Sequence, residues 1–116
     1  RRQRQMCIRD SRTSTGALLE VPVCKVAHMK DALFVAQSLG LKVVAATEKT
    51  ETDMYAAPFK EGCMLIMGNE ETGVHKSLIQ LSDAQALIPM SGQINSLNVS
   101  VATGVLLYEA VRQRKA

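Results

Sequence analysis

The chain has 116 residues and a formal net charge of +3, and 47% of its residues are hydrophobic but only 3% aromatic. That length suits one small domain, and that apolar fraction is enough for a hydrophobic core. The scarcity of aromatic residues argues against a module that reads RNA by stacking bases on rings, and no apolar run is long enough to cross a membrane.

The leading segment carries the excess positive charge. Four arginines lie in residues 1–11, and residues 12–116 contain ten basic against ten acidic side chains. We therefore expect any RNA contact to come from a local patch. Residues 1–11 show no periodicity, which is typical of a disordered tail, and residues 6–10 (MCIRD) match the translation of a transposase adapter used in sequencing libraries. We expect a non-native leader here, with the domain proper at 12–116.

The first half of that domain alternates strand and helix patterns. Residues 20–26 (EVPVCKV) alternate apolar and polar side chains and predict a strand. Residues 29–39 place apolar side chains at helical spacing, and Gly40 follows as a natural stop. Residues 41–46 (LKVVAA) predict a short apolar strand, and the polar residues 47–53 predict a loop.

The second half continues the alternation. Residues 63–67 (CMLIM) form a continuous apolar run that predicts a buried parallel strand, followed by a loop at 68–73. Residues 74–81 predict a helix and residues 86–88 a short strand. Residues 98–113 predict the longest helix, which is apolar on most sides and should pack against both its own sheet and a partner subunit. This order predicts an α/β fold with a mostly parallel sheet, whose ligands bind at the carboxyl ends of the strands.

Several common kinds of site lack support in this sequence. The loop at 68–73 is a near miss for a phosphate-binding loop, because two residues separate its second glycine from Lys76. Its two adjacent carboxylates would repel phosphate, and neighbouring residues do not face each other as an acid–base pair. His28 and His75 have no ligand partner at helical spacing, so no metal site is expected. The Gly-x-Ser-x-Gly elbow of triad hydrolases does not occur.

Two motifs of the second half resemble those of the SpoU-type RNA ribose methyltransferases. Residues 65–73 (LIMGNEETG) are similar to a strand followed by Gly-x-Glu-x-x-Gly, although Asn69 replaces the usual Ala or Ser and Glu71 the usual Gly. Residues 88–102 (IPMSGQINSLNVSVA) are similar to Ile-Pro-Met-x-Gly-x-x-x-Ser-Leu-Asn-Val-Ser-Val-Ala. Residues 107–114 also resemble the branch that methylates a guanosine ribose in large-subunit ribosomal RNA.

The resemblance implies a SPOUT fold, in which the carboxyl end of a parallel sheet threads into a deep trefoil knot. It also implies S-adenosylmethionine as the cofactor, RNA as the substrate of methyl transfer to a ribose 2'-hydroxyl, and a homodimer with the active site between subunits. By matching position, Glu70, Ser96 and Asn98 are the polar residues expected at the reaction site. The positions whose backbone is expected to hold the cofactor come from three strand ends and the last motif: Thr47, Gly68, Ile88 and Leu97.

The family's first motif supplies an arginine thought to activate the ribose hydroxyl. It should precede Thr13, yet residues 1–11 do not resemble that motif, so this chain alone is expected to bind cofactor weakly and not to methylate RNA. A transfer-RNA methyltransferase of the same family, a non-catalytic protein that kept the fold, and a small nucleotide-binding module are the alternatives.

The three cysteines are widely spaced, which is typical of a reducing cytosol, and Cys24 and Cys63 are expected to be buried.

Overall fold

The chain divides into two compact units, Arg1–Ala32 and Leu33–Ala116. The structure, a computed structural model, describes residues 7–8, 21–92 and 97–115. The expected separation of a leader at 1–11 therefore falls largely outside the described residues and stays a prediction.

The first unit contains a two-stranded antiparallel ladder between β1 (Cys7–Ile8) and β2 (Val23–Cys24). The strand predicted at 20–26 is thus reduced to two residues. Pro22, directly before β2, has no N–H to donate to a ladder, which limits the pairing. Cys24 is exposed and disulfide-bonded, so the expectation that it is a buried thiol is wrong.

A parallel sheet of three strands forms the centre of the second unit. The strands are β3 (Lys42–Ala46), β4 (Cys63–Ile66) and β5 (Ala84–Ala86), in the spatial order β4-β3-β5. Val44 of the central strand pairs with residues of both neighbours, Leu65 and Ala84. The predicted α/β class with a parallel sheet is confirmed.

Three helices accompany the strands: α1 (Met29–Ser38), α2 (Lys76–Leu81) and α3 (Val99–Lys115). Gly40 follows α1 with a left-handed φ of 85°, as the glycine stop predicts. Helix α2 begins two residues later than expected. His75 is extended there and its ring nitrogen accepts the N–H of Ser77 at 3.1 Å, so it caps the helix instead of belonging to it.

The core lies on both faces of the sheet, because neighbouring residues of a strand point to opposite sides. Val43 and Ala45 face α1 and α2, in a cluster completed by Leu33, Ala36, Ile66 and Val74. Val44 faces the other way, in a cluster with Met54, Ala57, Phe59, Ala86 and Leu106. Helix α3 therefore covers one face of the sheet, through Leu106.

Strand β5 begins two residues earlier than the apolar pattern predicts, at Ala84 instead of Ala86. The backbone N–H of Asp83 donates to the carbonyl of Val43 at 2.8 Å, and its carboxylate accepts the N–H of Val43 at 2.8 Å. These two bonds fix the start of β5 against β3. Residues 82–85 are mostly polar, so periodicity alone could not reveal the strand's beginning.

The C-terminal end of α3 is hydrogen-bonded to the segment that connects β3 and β4. Gln113 donates to the carbonyl of Met54 and accepts the N–H of Phe59, and Arg114 donates to the carbonyls of Phe59 and Glu61. These bonds anchor a short 3-10 helix, Met54–Ala56, that the sequence did not predict. Helix α3 packs on its own sheet through this end and through Leu106, as predicted. Its opposite side is open in this chain, and the expected packing of that side against a partner subunit stays a prediction.

Glu109 is a buried carboxylate on α3. It accepts hydrogen bonds from Nε of Arg112 at 2.7 Å, from Nη2 of the same side chain at 2.9 Å and from Gln113 at 2.8 Å. The hydrogen bonds and positive charge of Arg112, helped by Gln113, lower the pKa of Glu109 from its ordinary value, although burial by itself raises that pKa. The ionised form is therefore the one that stabilises the fold.

The substitution Glu109→Gln should make stability less dependent on pH. Because the folded-state pKa is lowered, the stabilisation is present above the ordinary glutamate pKa of about 4.3 and is lost as the pH falls through the folded-state value. We expect E109Q to lower the Tm by roughly 5 °C near pH 7 and by much less near pH 3. Thermal melts at both pH values measure this, with the exposed Glu51→Gln as the control. An equal loss of Tm at both pH values would argue against the prediction.

Candidate active site

The carboxyl ends of the three parallel strands open onto one cavity of about 620 Å³. Ala46 and Ala86, the last residues of β3 and β5, line it, and so does Met67, directly after β4. The first turn of α3 adds Val99 and Ala102, which share one face of the helix. This is the edge of the sheet at which the sequence predicts a ligand.

A tight loop at residues 68–73 forms part of the cavity lining. The N–H of Gly73 donates to the carbonyl of Asn69 at 3.0 Å and closes the loop. A Cβ atom placed on Gly68 would fall on the backbone of Gly73 and Val74, so only glycine fits there. Gly73 is needed for a different reason, because its φ of 74° lies in the left-handed region. The loop therefore needs Gly68 because the backbone of Gly73 and Val74 lies so close to it, and it needs Gly73 because of that residue's left-handed backbone conformation.

Glu70 and Asn98, two of the predicted reaction-site residues, meet across 28 residues of sequence. Nδ2 of Asn98 donates to Oε1 of Glu70 at 3.3 Å. The other end of the same amide, Oδ1, accepts the N–H of Ser100 at 2.8 Å, so Asn98 also caps α3. Both ends of the Asn98 amide are therefore engaged within the protein, whereas Oε2 of Glu70 is free of partners among the residues described. The third predicted residue, Ser96, lies outside those residues.

All four positions predicted to hold the cofactor line this cavity: Thr47, Gly68, Ile88 and Leu97. The N–H of Thr47 donates to the carbonyl of Ala86 at 3.1 Å, which joins the loop after β3 to the end of β5. Ile88 is half-buried, and within the described chain neither its amide nor its carbonyl is hydrogen-bonded. The structure brings the four positions together, and their role in binding stays a prediction.

Other cavity residues were not singled out from the sequence. Glu48 and Lys49 line the cavity next to Thr47, and Met90 lines it beside the strand-end motif. The rule that ligands bind beyond strand ends would have included Glu48 and Lys49. Val99 and Ala102 could also have been predicted as a pair, because residues three apart on a helix share a face and both line the cavity.

The cavity combines an apolar wall with acidic side chains. The carboxylates of Glu48, Glu70 and Glu71 line it together with one ammonium group, that of Lys49. Leucine, isoleucine, valine and methionine side chains supply the apolar part: Met67, Leu87, Ile88, Met90, Leu97 and Val99. This combination favours an organic ligand with a positive charge and disfavours a polyphosphate.

The residues that the structure describes show neither a metal site nor a membrane-spanning helix. Among them, no group of three or more His, Cys, Asp or Glu side chains could hold a metal ion. In the same part of the chain, no helix has the length and apolar character needed to cross a membrane.

Comparisons with solved structures place this fold among RNA methyltransferases. The A. aeolicus TrmH/SpoU tRNA modifying enzyme has a TM-score of 0.81 and 32% identity, over 91% of this chain and 54% of that one. The SpoU methyltransferase AviRb from Streptomyces viridochromogenes, in complex with the cofactor AdoMet, has a TM-score of 0.81 and 31% identity, over 90% of this chain and 42% of that one.

Comparisons of sequence agree with those of structure. The chain is 39% identical over 104 residues to the 23S rRNA (guanosine-2'-O-)-methyltransferase RlmB of Ralstonia nicotianae. The aligned segment covers 90% of this chain and 42% of that protein. The chain therefore spans less than half the length of this curated relative. Residues 4–108 match the SpoU rRNA Methylase family. Because that match extends over most of the sequence, the chain belongs to the SpoU rRNA methylase family.

Proposed function

We propose that the protein to which this chain belongs transfers a methyl group from S-adenosylmethionine to the ribose 2'-hydroxyl of a guanosine in 23S ribosomal RNA. The observation that carries this proposal is the single cavity at the strand ends, whose lining contains Glu70 and all four positions predicted to hold the cofactor. The relative from Ralstonia nicotianae is named for methylation of a 23S rRNA guanosine, and the AviRb structure contains AdoMet. Both names support the choice of substrate and cofactor.

The lining of the cavity fits the chemistry of S-adenosylmethionine. A volume of about 620 Å³ lies in the usual range for cofactor pockets. Leu87, Ile88 and Leu97 offer apolar surface for the adenosine. The backbone N–H and C=O of Ile88, which form no hydrogen bond with the residues described, offer a donor and an acceptor for its polar edge. The carboxylates of Glu48 and Glu70 favour the positive charge of the cofactor. When bound, the cofactor supplies a methyl group on a positively charged sulfur.

The chain's own polar residues would serve the other half of the reaction. A ribose hydroxyl is a weak nucleophile, and a group must accept or polarise its proton. Oε2 of Glu70 can accept a hydrogen bond from the substrate, or from the group that takes this proton. Asn98 donates its 3.3 Å hydrogen bond to the other oxygen of this carboxylate, Oε1. By family resemblance, Ser96 completes the reaction site.

Helix α3 supports the proposal of a homodimer. A shallow groove on its open side is lined mostly by apolar atoms of Met54, Tyr55, Val101, Val105 and Tyr108. Val101 is 53% exposed and Tyr108 76% exposed, which leaves large apolar side chains in water. A second copy of the protein packed on this groove would bury them. We also propose the trefoil knot that the family resemblance implies.

The remaining proposals concern the location and extent of the protein. We propose the cytoplasm, where a 23S rRNA substrate would be available. We further propose that residues 12–116 are a partial catalytic domain and that 1–11 are a non-native leader. Sequencing the source gene across this junction tests the second proposal, because genomic DNA that encodes residues 1–11 in frame would refute it.

Calorimetric titration distinguishes the proposed function from two of its alternatives, the nucleotide-binding module and the non-catalytic protein. We expect the protein encoded by the complete gene to bind S-adenosylmethionine and its demethylated product, and not ATP, because the acidic cavity disfavours phosphate. A nucleotide-binding module would bind ATP instead. A protein that kept the fold without catalysis would bind neither the cofactor nor its product, and that result would overturn the proposal.

A further inference from the structure

Asn69 fixes the loop that carries Glu70 through its side chain. Oδ1 of Asn69 accepts the N–H of Glu71 at 2.9 Å, the N–H of Thr72 at 2.7 Å and the hydroxyl of Thr72 at 3.0 Å. Its backbone carbonyl also accepts the N–H of Gly73 at 3.0 Å. One residue therefore holds the backbone of the three residues that follow Glu70.

These bonds explain how the loop turns without a glycine at position 71. In the described chain no residue other than glycine has a positive φ, so Glu71 follows the turn with an ordinary backbone conformation. Ordering this loop costs conformational entropy, and the three hydrogen bonds to Oδ1 of Asn69 offset that cost. Asn69 and Glu71, the two departures from the family pattern, are thus joined by a hydrogen bond.

Glu70 depends on this arrangement. It is exposed, and its one hydrogen bond within the described residues is the 3.3 Å contact with Asn98. That single bond near the upper distance limit cannot hold a flexible glutamate by itself. The position of the Glu70 carboxylate at the cavity is therefore set mainly by the backbone that Asn69 fixes.

We propose that Asn69 is a positioning residue that acts through Glu70 in methyl transfer. The inference rests on the proposed function, since Glu70 must contribute to the reaction for its position to matter. It predicts that the effect of Asn69 is on turnover, that it requires Glu70, and that another side chain with the same acceptor geometry can replace the amide.

The test is a double-mutant cycle on the protein encoded by the complete gene. Methyl transfer to ribosomal RNA at saturating S-adenosylmethionine is measured for wild type, Asn69→Ala, Glu70→Gln and the double variant. We expect N69A to lower kcat roughly 10- to 100-fold, as small misplacements of reacting groups do. In the E70Q background the same substitution should change kcat less than about twofold, because coupled residues are not additive. Asn69→Asp, whose carboxylate accepts the same three bonds, should stay within about threefold of wild type.

Each outcome bears on the inference. Three results would overturn the inference and leave the proposed function intact. N69A could keep the wild-type kcat, N69A could lower kcat equally with and without Glu70, or N69D could lower kcat as much as N69A does. A wild-type protein that transfers no methyl group would overturn both. Thermal melts check folding. If N69A does not fold, Thr72→Val takes the place of N69A in the cycle. T72V removes only the 3.0 Å hydrogen bond from the Thr72 hydroxyl to Oδ1 of Asn69, and its kcat should fall only when Glu70 is present.

Discussion

Gly68→Ala is expected to weaken S-adenosylmethionine binding by about 100-fold, which corresponds to roughly 3 kcal/mol. The added methyl group would overlap the backbone of Gly73 and Val74. Backbone atoms cannot rotate away as the end of a side chain can, so the loop at 68–73 would have to move as a unit. Because this loop lines the cavity, its displacement changes the shape of the site. Calorimetric titration of the variant measures the effect.

Gly73→Ala is the matched control in the same loop. Nothing lies within 4 Å of a Cβ atom placed on Gly73, so the cost is only that of a left-handed φ, about 1 kcal/mol. We expect its binding to fall less than about tenfold. If G68A bound the cofactor as wild type does, or if G73A were the more harmful change, the described loop geometry would be wrong.

Val101→Glu is expected to convert the proposed homodimer into monomers and to lower methyl transfer by about 100-fold or more. Val101 lines the apolar groove on α3, where a carboxylate buried without a partner would cost several kcal/mol. The loss of activity follows because the family resemblance implies an active site between subunits. Light scattering after gel filtration gives the mass, and methyl transfer gives the activity.

Leu107→Glu is the control for that variant. Leu107 is 54% exposed on the same helix, about the same as Val101 at 53%, but it does not line the groove. We expect L107E to keep the wild-type mass and activity. A wild-type protein that is monomeric, or a V101E variant that remains dimeric, would refute the assignment of the groove to a second copy.

The framework of the fold was predictable because its signals are local. Residues 63–67 form an apolar run that predicts a buried strand, and β4 occupies all but the last residue of it. The strand was predicted, but its burial only in part, because β4 is an edge strand in which only Ile66 is buried. The helical spacing before Gly40 likewise matches α1. The start of β5 was not predictable, because it depends on hydrogen bonds between Asp83 and Val43, 40 residues apart. The burial of Glu109 was not predictable either, since a glutamate three residues before an arginine usually lies in water on a helix surface.

The candidate site was predicted from family resemblance and from the strand-end rule together. The resemblance supplied Glu70 and Asn98, but only the structure shows that they are hydrogen-bonded to each other. The motif likewise marked Asn69 as a departure without indicating its three hydrogen bonds. Such contacts depend on the path of a loop, and residue types alone do not fix that path.

Methyl transfer to ribosomal RNA is the decisive assay for the proposed function. The protein encoded by the complete gene is incubated with labelled S-adenosylmethionine and with 23S rRNA from a strain that lacks this gene, with transfer RNA from the same strain as the parallel substrate. We predict that the label appears in 2'-O-methylguanosine from 23S rRNA. Label on a base, label confined to transfer RNA, or no transfer despite cofactor binding would contradict the proposed function.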